Sequence, residues 1–161
     1  MTAEEWALAA SVFFSGLASG LLGMLSTIMR PMLAVMDGRD FRNFMEAFLR
    51  FADKSWGRVF NYAWSLGMFI GPNVALVFLW DDPGSTSFVL TAIGLGVVIV
   101  GVYIVANVWK EPHYDVILAW DPEAMPADWE AGRRRYFAIN WIQFATTWAA
   151  FALFLVALAS L

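Results

Sequence analysis

The sequence predicts an all-α fold, an integral membrane four-helix bundle with an additional amphipathic interfacial helix. Two observations support this prediction. Of the 161 residues, 60% are hydrophobic and only 15% are charged. The charged residues fall in blocks separated by apolar runs of about twenty residues, the length that a helix needs to cross a bilayer. We expect one transmembrane domain over residues 1–161, since a chain of this length suits a single bundle.

The first span is predicted over about 6–29. Thr2-x-x-Glu5 is typical of a capping box at a helix start, and acids at this position argue against a signal peptide, which begins with basic residues. Three glycines recur at helical spacing and leave one face of the helix nearly bare, so we expect another helix to approach it closely. These glycines are Gly16, Gly20 and Gly23.

An amphipathic helix is predicted over about 40–54, after the Asp37-Gly38 turn. Its apolar side chains share one side and its charged side chains share the other. The apolar side carries Phe41, Phe44, Met45, Phe48 and Phe51. The helix is too short to span a bilayer, so we expect it to lie in the interface or to cap the bundle. A partner-binding helix is the alternative.

The other spans are predicted over about 58–80, 87–109 and 135–160. Gly71-Pro72 interrupts the second span, because proline removes a backbone donor. A short turn, Asp81-Asp82-Pro83-Gly84, joins the second span to the third, which makes the two antiparallel neighbours. A longer loop over 110–134 precedes the fourth span.

The basic residues predict the orientation. All ten lie in or beside the first loop and the loop over 110–134, and basic residues concentrate on the cytoplasmic side of membranes. We therefore expect these two long loops to be cytoplasmic and both termini to lie outside, in a bacterial inner membrane. The expected partners are the lipid bilayer and an apolar small molecule, with no nucleic acid.

Polar residues form a strip on the fourth span. They occur at offsets of 0, 4, 7 and 11, so they share one face, and that face cannot point at lipid because unpaired polar groups there are costly. The strip contains Tyr136, Asn140, Gln143 and Thr147. With Asn61, Tyr103 and Asn107 of the neighbouring spans, it predicts a polar pocket. The alternative is that these groups only bond one another between helices.

The segment from Glu111 to Asp115 is the sharpest local cluster of ionisable groups, and it contains His113, the only histidine. One histidine excludes sites that need two or three imidazoles, and the absence of cysteine excludes thiolate chemistry. A single axial ligand to haem remains an option for His113. The catalytic candidates are His113, Asp115 and Tyr136, and the candidates for substrate binding are Asn61, Tyr103, Asn107, Asn140 and Gln143.

The order of these features resembles the anthrone oxygenase-like family of small membrane proteins, long catalogued as a domain of unknown function. The likeness covers most of the chain through short, degenerate motifs. These are Gly16-Leu17-x-Ser19-Gly20, Pro31-x-Leu33, Phe41-x-x-Phe44-Met45, then Pro112, Leu118, Trp129, Arg133 and Asn140. The chain departs from the family at Lys110 and Tyr114, where asparagines are usual, and at Gln143, where arginine is usual.

The resemblance implies an integral membrane oxidoreductase, oxygenase-like, that acts on an apolar aromatic or polyketide-like substrate in a pocket between helices. Oxygen would then be activated by a cofactor such as haem on His113, or by a deprotonated substrate with His113 or Asp115 as the base. The competing hypothesis is a non-enzymatic small subunit or assembly factor of a larger membrane complex. A homo-oligomer is compatible with either.

Overall fold

The computed structural model describes residues 1–161, with Ser55 described by its backbone alone. Within that description the chain forms five helices and no strand. The helices are α1 (Ala3–Ala34), α2 (Gly38–Ala52), α3 (Ser55–Phe78), α4 (Thr86–Leu118) and α5 (Trp129–Ala159). The all-α prediction is therefore confirmed.

Three of these helices, α1, α4 and α5, are long and apolar enough to cross a membrane. At 31 to 33 residues each, they extend about 45–50 Å and exceed the hydrocarbon thickness of about 30 Å. The fourth long helix, α3, has 24 residues and includes Asn61, Pro72 and Asn73, which lower its apolar content. Pro72 lies inside α3 without ending it.

Polar side chains fix the starts of three helices. The capping box of α1 is present, with Glu5 N donating to Thr2 Oγ1 at 3.4 Å and Thr2 N donating to Glu5 Oε2 at 2.8 Å. Asp37 caps α2, and Ser85 caps α4 by accepting from Phe88 N at 3.3 Å. These contacts satisfy backbone donors that have no partner inside the helix.

The long helices pack as antiparallel neighbours, with α1 against α3 and α5, and with α4 against α5 and α3. Glycines allow the closest approaches. A Cβ on Gly94 would lie 2.5 Å from Phe154 Cε1, and a Cβ on Gly101 would lie 2.4 Å from Thr146 Cβ. We call this half of the molecule, built around buried Val98 and Phe154, the apolar end.

The glycine face of α1 differs from its prediction. Rings of α5, rather than helix backbone, cover two of its glycines. A Cβ on Gly16 would lie 3.1 Å from Phe151, and one on Gly23 would lie 3.5 Å from Phe144. Gly20 is exposed, with nothing within 4 Å of its Cβ position, so the predicted close approach is wrong there. Phe144 and Phe151 are seven residues apart on α5, and Gly20 lies between the positions that they cover.

At the other end, α2 packs across the ends of the long helices. Its Phe41 and Met45 are fully buried against Leu33 of α1, Ile117 of α4 and Tyr136 of α5. All ten basic residues belong to this end by the chain order of the helices, so we call it the basic end.

Two arginines cap helix ends here. Arg133 Nη1 donates to Leu33 O (3.2 Å) and Met36 O (2.6 Å), where α1 stops. Arg42 donates to Leu118 O (3.0 Å) and Trp120 O (3.2 Å), where α4 stops. Cations near the last carbonyls of a helix are favourable.

The connection between α4 and α5 is shorter than the loop predicted over 110–134. Helix α4 continues to Leu118 and α5 already begins at Trp129. Pro112 lies where the wide turns of Ile99–Lys110 change to the regular turns of Glu111–Leu118, and its missing N–H leaves one backbone bond of the continuous helix unmade. Burial of Tyr114 and Ile117 against α2 then stabilises the extension.

Candidate functional site

The polar strip of α5 points inward. Tyr136, Asn140, Gln143 and Thr147 are all buried, as their helical spacing predicts. Thr147 Oγ1 donates to Gln143 O of its own helix at 2.9 Å, which accounts for its hydroxyl. The other three side chains look toward neighbouring helices, and each has a different environment.

Lys110 of α4 reaches Gln143. Its Nζ donates to Gln143 Oε1 at 2.7 Å and lies 5.9 Å from the centre of the Tyr114 ring. Gln143 Nε2 in turn donates to Val102 O at 3.5 Å. A lysine ammonium has three donors, so two remain for another acceptor. A buried ionisable group with unused donors is a candidate for a functional role.

Lys110 was not among the predicted site residues, because it was counted as a basic loop residue and as a departure from the family pattern at the pocket. A signal was present, since Tyr103, Asn107 and Lys110 repeat the offsets 0, 4 and 7 of the α5 strip. The structure also explains why this signal alone misleads. Residues Ile99–Lys110 form wide π-helical turns, which advance by a smaller angle per residue. Lys110 therefore faces α5, while Tyr103 faces α3.

Asn140 and Ser26 are buried polar residues with unused hydrogen-bonding atoms. Asn140 Oδ1 and Ser26 Oγ have no partner among the described residues. Buried polar atoms are normally bonded, and an unmet one costs about 1–3 kcal/mol. Both side chains are at most 3% exposed. Sequence spacing could not reveal this, because it gives burial but not partners.

The two unused atoms lie at one level of the α1–α5 interface. Gly23 of α1 faces Phe144 of α5, and the guanidinium of Arg30 lies 5.6 Å from the centre of the Phe137 ring. On α1, Ser26 lies between Gly23 and Arg30. On α5, Asn140 lies between Phe137 and Phe144. Spacings of three and four residues place each on the contacting face. Ser26 also lies in the short π-helical stretch Leu25–Met29.

Tyr136 lies beneath α2 in an aromatic cluster. Its ring centre is 6.1 Å from that of Phe41 and 6.1 Å from that of Tyr114. Helical spacing places it one turn before Asn140, on the basic side. Lys110 contacts Gln143, Asn140 lies between Tyr136 and Gln143 on the same face of α5, and helical spacing alone assigns Ser26 of α1 to the same level. We call these five residues the inner polar site.

The other predicted binding residues lie apart from this group, beside α3. Tyr103 Oη donates to Ser65 O at 2.5 Å. Asn107 is exposed and donates to Tyr103 O at 2.8 Å, while exposed Asn61 accepts from Trp64 Nε1 at 3.3 Å. The pocket predicted from all these polar residues is therefore divided in the structure into two groups. The second group is satisfied by its own contacts.

His113 and Asp115 are separated as well. His113 is buried, and its Nε2 lies 2.8 Å from Gly132 O. Because a carbonyl oxygen only accepts, Nε2 must carry the proton and donate. Asp115 is exposed and projects elsewhere from α4. Their catalytic roles stay predictions.

The surroundings of His113 do not fit a haem. Its Nε2 is engaged by Gly132, and the Trp120 ring packs beside that glycine, where a Cβ would meet it at 2.5 Å. The imidazole is only 4% exposed, so a macrocycle would have to displace these contacts. The described residues also contain no group of three His, Asp or Glu side chains that could hold a metal ion.

Two concave regions occur elsewhere on the surface. One is a groove of about 590 Å³ along the seam of α4 and α5, and the other, of about 260 Å³, lies between Phe78, Asp82 and Ser160. Neither is lined by a predicted site residue.

No family model, curated protein or solved structure matches the chain. The fold and the site define a class only: an all-helical protein with three helices able to cross a membrane and an inner polar site at one end of them.

Proposed function

We propose that this protein is an integral membrane oxidoreductase, oxygenase-like, which acts on an apolar aromatic or polyketide-like substrate at the inner polar site. The observation that supports the proposal is the unused hydrogen-bonding capacity of Asn140 and Ser26 beside Lys110. Groups that serve only to join helices bond one another, as Tyr103 and Ser65 do. Atoms left over in a buried site favour a bound molecule.

The proposal includes the membrane topology. Four spans, α1, α3, α4 and α5, form the bundle, and α2 lies in the interface at the basic end, which faces the cytoplasm with both termini outside. The concentration of all ten basic residues at one end supports this orientation. A bacterial inner membrane is the proposed location.

The proposed reaction converts an activated methylene to a carbonyl. Dioxygen supplies one oxygen atom to the product and one to water, so R₂CH₂ and O₂ give R₂CO and H₂O without another reductant. Loss of a proton from the methylene gives an anion whose charge spreads to a neighbouring oxygen. The free donors of Lys110 stabilise that oxygen, and Asn140 Oδ1 accepts from a hydroxyl of the substrate. The proposed base is His113 or Asp115, both of which lie outside the inner polar site, so the proton must be relayed to either one.

Oxygen consumption by the purified protein, with an anthrone as substrate, tests this function. We expect Lys110→Met and Asn140→Leu each to lower turnover at least about tenfold, the lower range for loss of one donor or acceptor in a site. Thr147→Val is the matched control, because that hydroxyl is already bonded within α5. Equal turnover in all three variants, or none in the wild type, would remove the proposal.

The second candidate is a non-enzymatic subunit or assembly factor. Exposed Gly20 favours it, because bare backbone on a lipid-facing helix lets a partner helix approach. Purification separates the two candidates. A subunit comes out with stoichiometric partners, whereas the enzyme comes out alone or as a homo-oligomer.

A further inference from the structure

The groove along the seam of α4 and α5 is distinct from the inner polar site. On α4 it runs from Ile93 past Gly96 and Val100 to Trp109, and on α5 it includes Ile142 and Thr146. Its only side-chain hydroxyl, on Thr146, already donates to Ile142 O at 2.9 Å. Apart from the indole N–H of Trp109 at its basic end, the groove therefore offers no free donor, and its occupant must be apolar along most of its length.

The dimensions of the groove select the shape of this occupant. Sixteen residues of helix separate Ile93 from Trp109, which corresponds to a length of about 24 Å. A volume of about 590 Å³ spread over that length makes the groove long and shallow, open to the surroundings along one side. A single alkyl chain can lie in it along its whole length, whereas a partner helix, about 10–12 Å across, could enter it only with side chains.

The charge at the basic end of the groove indicates which polar group the occupant carries at that end. Arg135 precedes Ile142 by seven residues, so it lies on the same side of α5, about 10 Å beyond the groove. It is exposed and has no ion pair with any described residue, whereas its neighbour Arg134 pairs with Glu130 at 3.4 Å.

Helix α4 places one acid at the edge of this side. By helical spacing, Pro112 and Val116 continue the groove face beyond Trp109, while Asp115 borders this face and Glu111 falls on another side. Asp115 makes no ion pair with Arg135. Trp109 is half-exposed, as an indole at the headgroup level is expected to be.

We propose that this groove binds one anionic phospholipid of the bilayer, with an acyl chain between α4 and α5 and its phosphate at Arg135. The inference rests on the membrane location in the proposed function but not on the reaction. Lipid binding and oxygen consumption are separate measurements, so one can fail without the other.

Native mass spectrometry of the detergent-solubilised full chain tests this proposal, with phosphatidylglycerol and phosphatidylcholine of equal chain length. We expect the wild type to prefer phosphatidylglycerol about fivefold, the effect of one basic residue at an anionic headgroup. Arg135→Gln should abolish the preference but keep binding of phosphatidylcholine. Arg134→Gln is its control and should keep the preference.

Gly96→Leu tests the alkyl chain. A Cβ at Gly96 meets nothing within 4 Å, so the leucine fills the groove without disturbing the packing. It should lower the binding of both lipids at least tenfold. Gly20→Leu, at an equally open glycine away from the groove, should leave binding unchanged. Equal binding by both leucine variants overturns the proposal, as does a wild-type dimer that Gly96→Leu separates, since a second copy then occupies the groove.

Discussion

The two ends of the molecule satisfy their polar groups in different ways. At the apolar end, most hydroxyls bond within their own helix, and Ser87, which donates to Ala157 O of α5 at 3.0 Å, is the exception. Ser11, Ser15 and Ser19 are buried on α1, and each donates to the carbonyl four residues earlier at 2.6 to 2.8 Å. At the basic end, bonds run between helices, from Arg133 to the end of α1 and from Arg42 to the end of α4. Close packing stabilises the apolar end, and hydrogen bonds between helices stabilise the basic end.

This difference follows from the surroundings. In hydrocarbon, a side chain that loses its partner has no water to replace it, so bonds within one helix are the safest. Near water, long arginine side chains can reach helix ends and remain solvated on one side. The inner polar site lies between the two ends and contains the bond between helices from Lys110 to Gln143. Ser65 with Tyr103 and Ser87 with Ala157 are further bonds between helices.

The largest effect should come from shape at the apolar end. Gly94→Ala places a Cβ 2.5 Å from the buried ring of Phe154, which cannot move aside. We expect a loss of about 3 kcal/mol in thermal unfolding experiments in detergent, at the upper range for overpacking. Gly96→Ala is the control, because its Cβ meets nothing within 4 Å. Similar melting temperatures for the two variants would mean that shape does not hold this end.

The next effect should come from the directed bonds. Arg133→Met removes two charge-assisted bonds to Leu33 O and Met36 O while keeping much of the side-chain volume. We expect a loss of about 2 kcal/mol, the range for hydrogen bonds from a charged group. Arg134→Met, which removes only an exposed ion pair, should change stability by less than about 0.5 kcal/mol. Unfolding in detergent measures both, and equal losses would contradict the capping role.

A smaller effect is expected at the inner polar site. Asn140→Leu removes an acceptor that has no partner, which favours folding, but also the side-chain hydrogen bond to Tyr136, whose loss opposes it. The stability of the protein without substrate should therefore change by less than about 1 kcal/mol. The same variant should lose turnover, as sites kept for function often cost stability. An Asn140→Leu protein destabilised by more than this would show that Oδ1 is bonded in solution and that the residue serves to join helices.

The smallest effect should come from the serines of α1. Ser15→Ala removes a hydroxyl that bonds only within its own helix, and we expect a change below about 0.5 kcal/mol, since such bonds stabilise little. Ser65→Ala is a useful comparison, because its hydroxyl donates to Tyr103 Oη of another helix at 3.3 Å. A larger loss of stability for Ser15→Ala than for Ser65→Ala in the same unfolding experiment would contradict the expectation that hydroxyl bonds within one helix stabilise least.

Much of the fold could be predicted from the sequence, because helix starts and apolar periods are local. Thr2 and Ser85 cap their helices as their positions suggest, and the inward strip from Tyr136 to Thr147 follows from spacing alone. The helices placed by this reasoning at 6–29, 87–109 and 135–160 correspond to the three that are able to cross a membrane. Their ends were harder to place, because packing against α2 extends α4 to Leu118.

The site could be predicted only in part. Spacing assumes regular turns, and the wide turns of Ile99–Lys110 rotate Lys110 away from Tyr103. Partners are also set by other helices, so the capture of His113 by Gly132 and the open surface at Gly20 had no local signal. The resemblance to an oxygenase family stays a prediction.

The bonds from Arg133 also have a consequence for the order of assembly during synthesis. Its two acceptors, Leu33 O and Met36 O, lie 100 and 97 residues earlier in the chain. At about 5–20 residues per second, the ribosome makes Arg133 about 5–20 s after the end of α1. Throughout that time the last carbonyls of α1 lack the hydrogen bonds that Arg133 donates. The basic end can therefore close only when α5 has begun to emerge, and a nascent chain that stops before Arg133 leaves α1 unfinished.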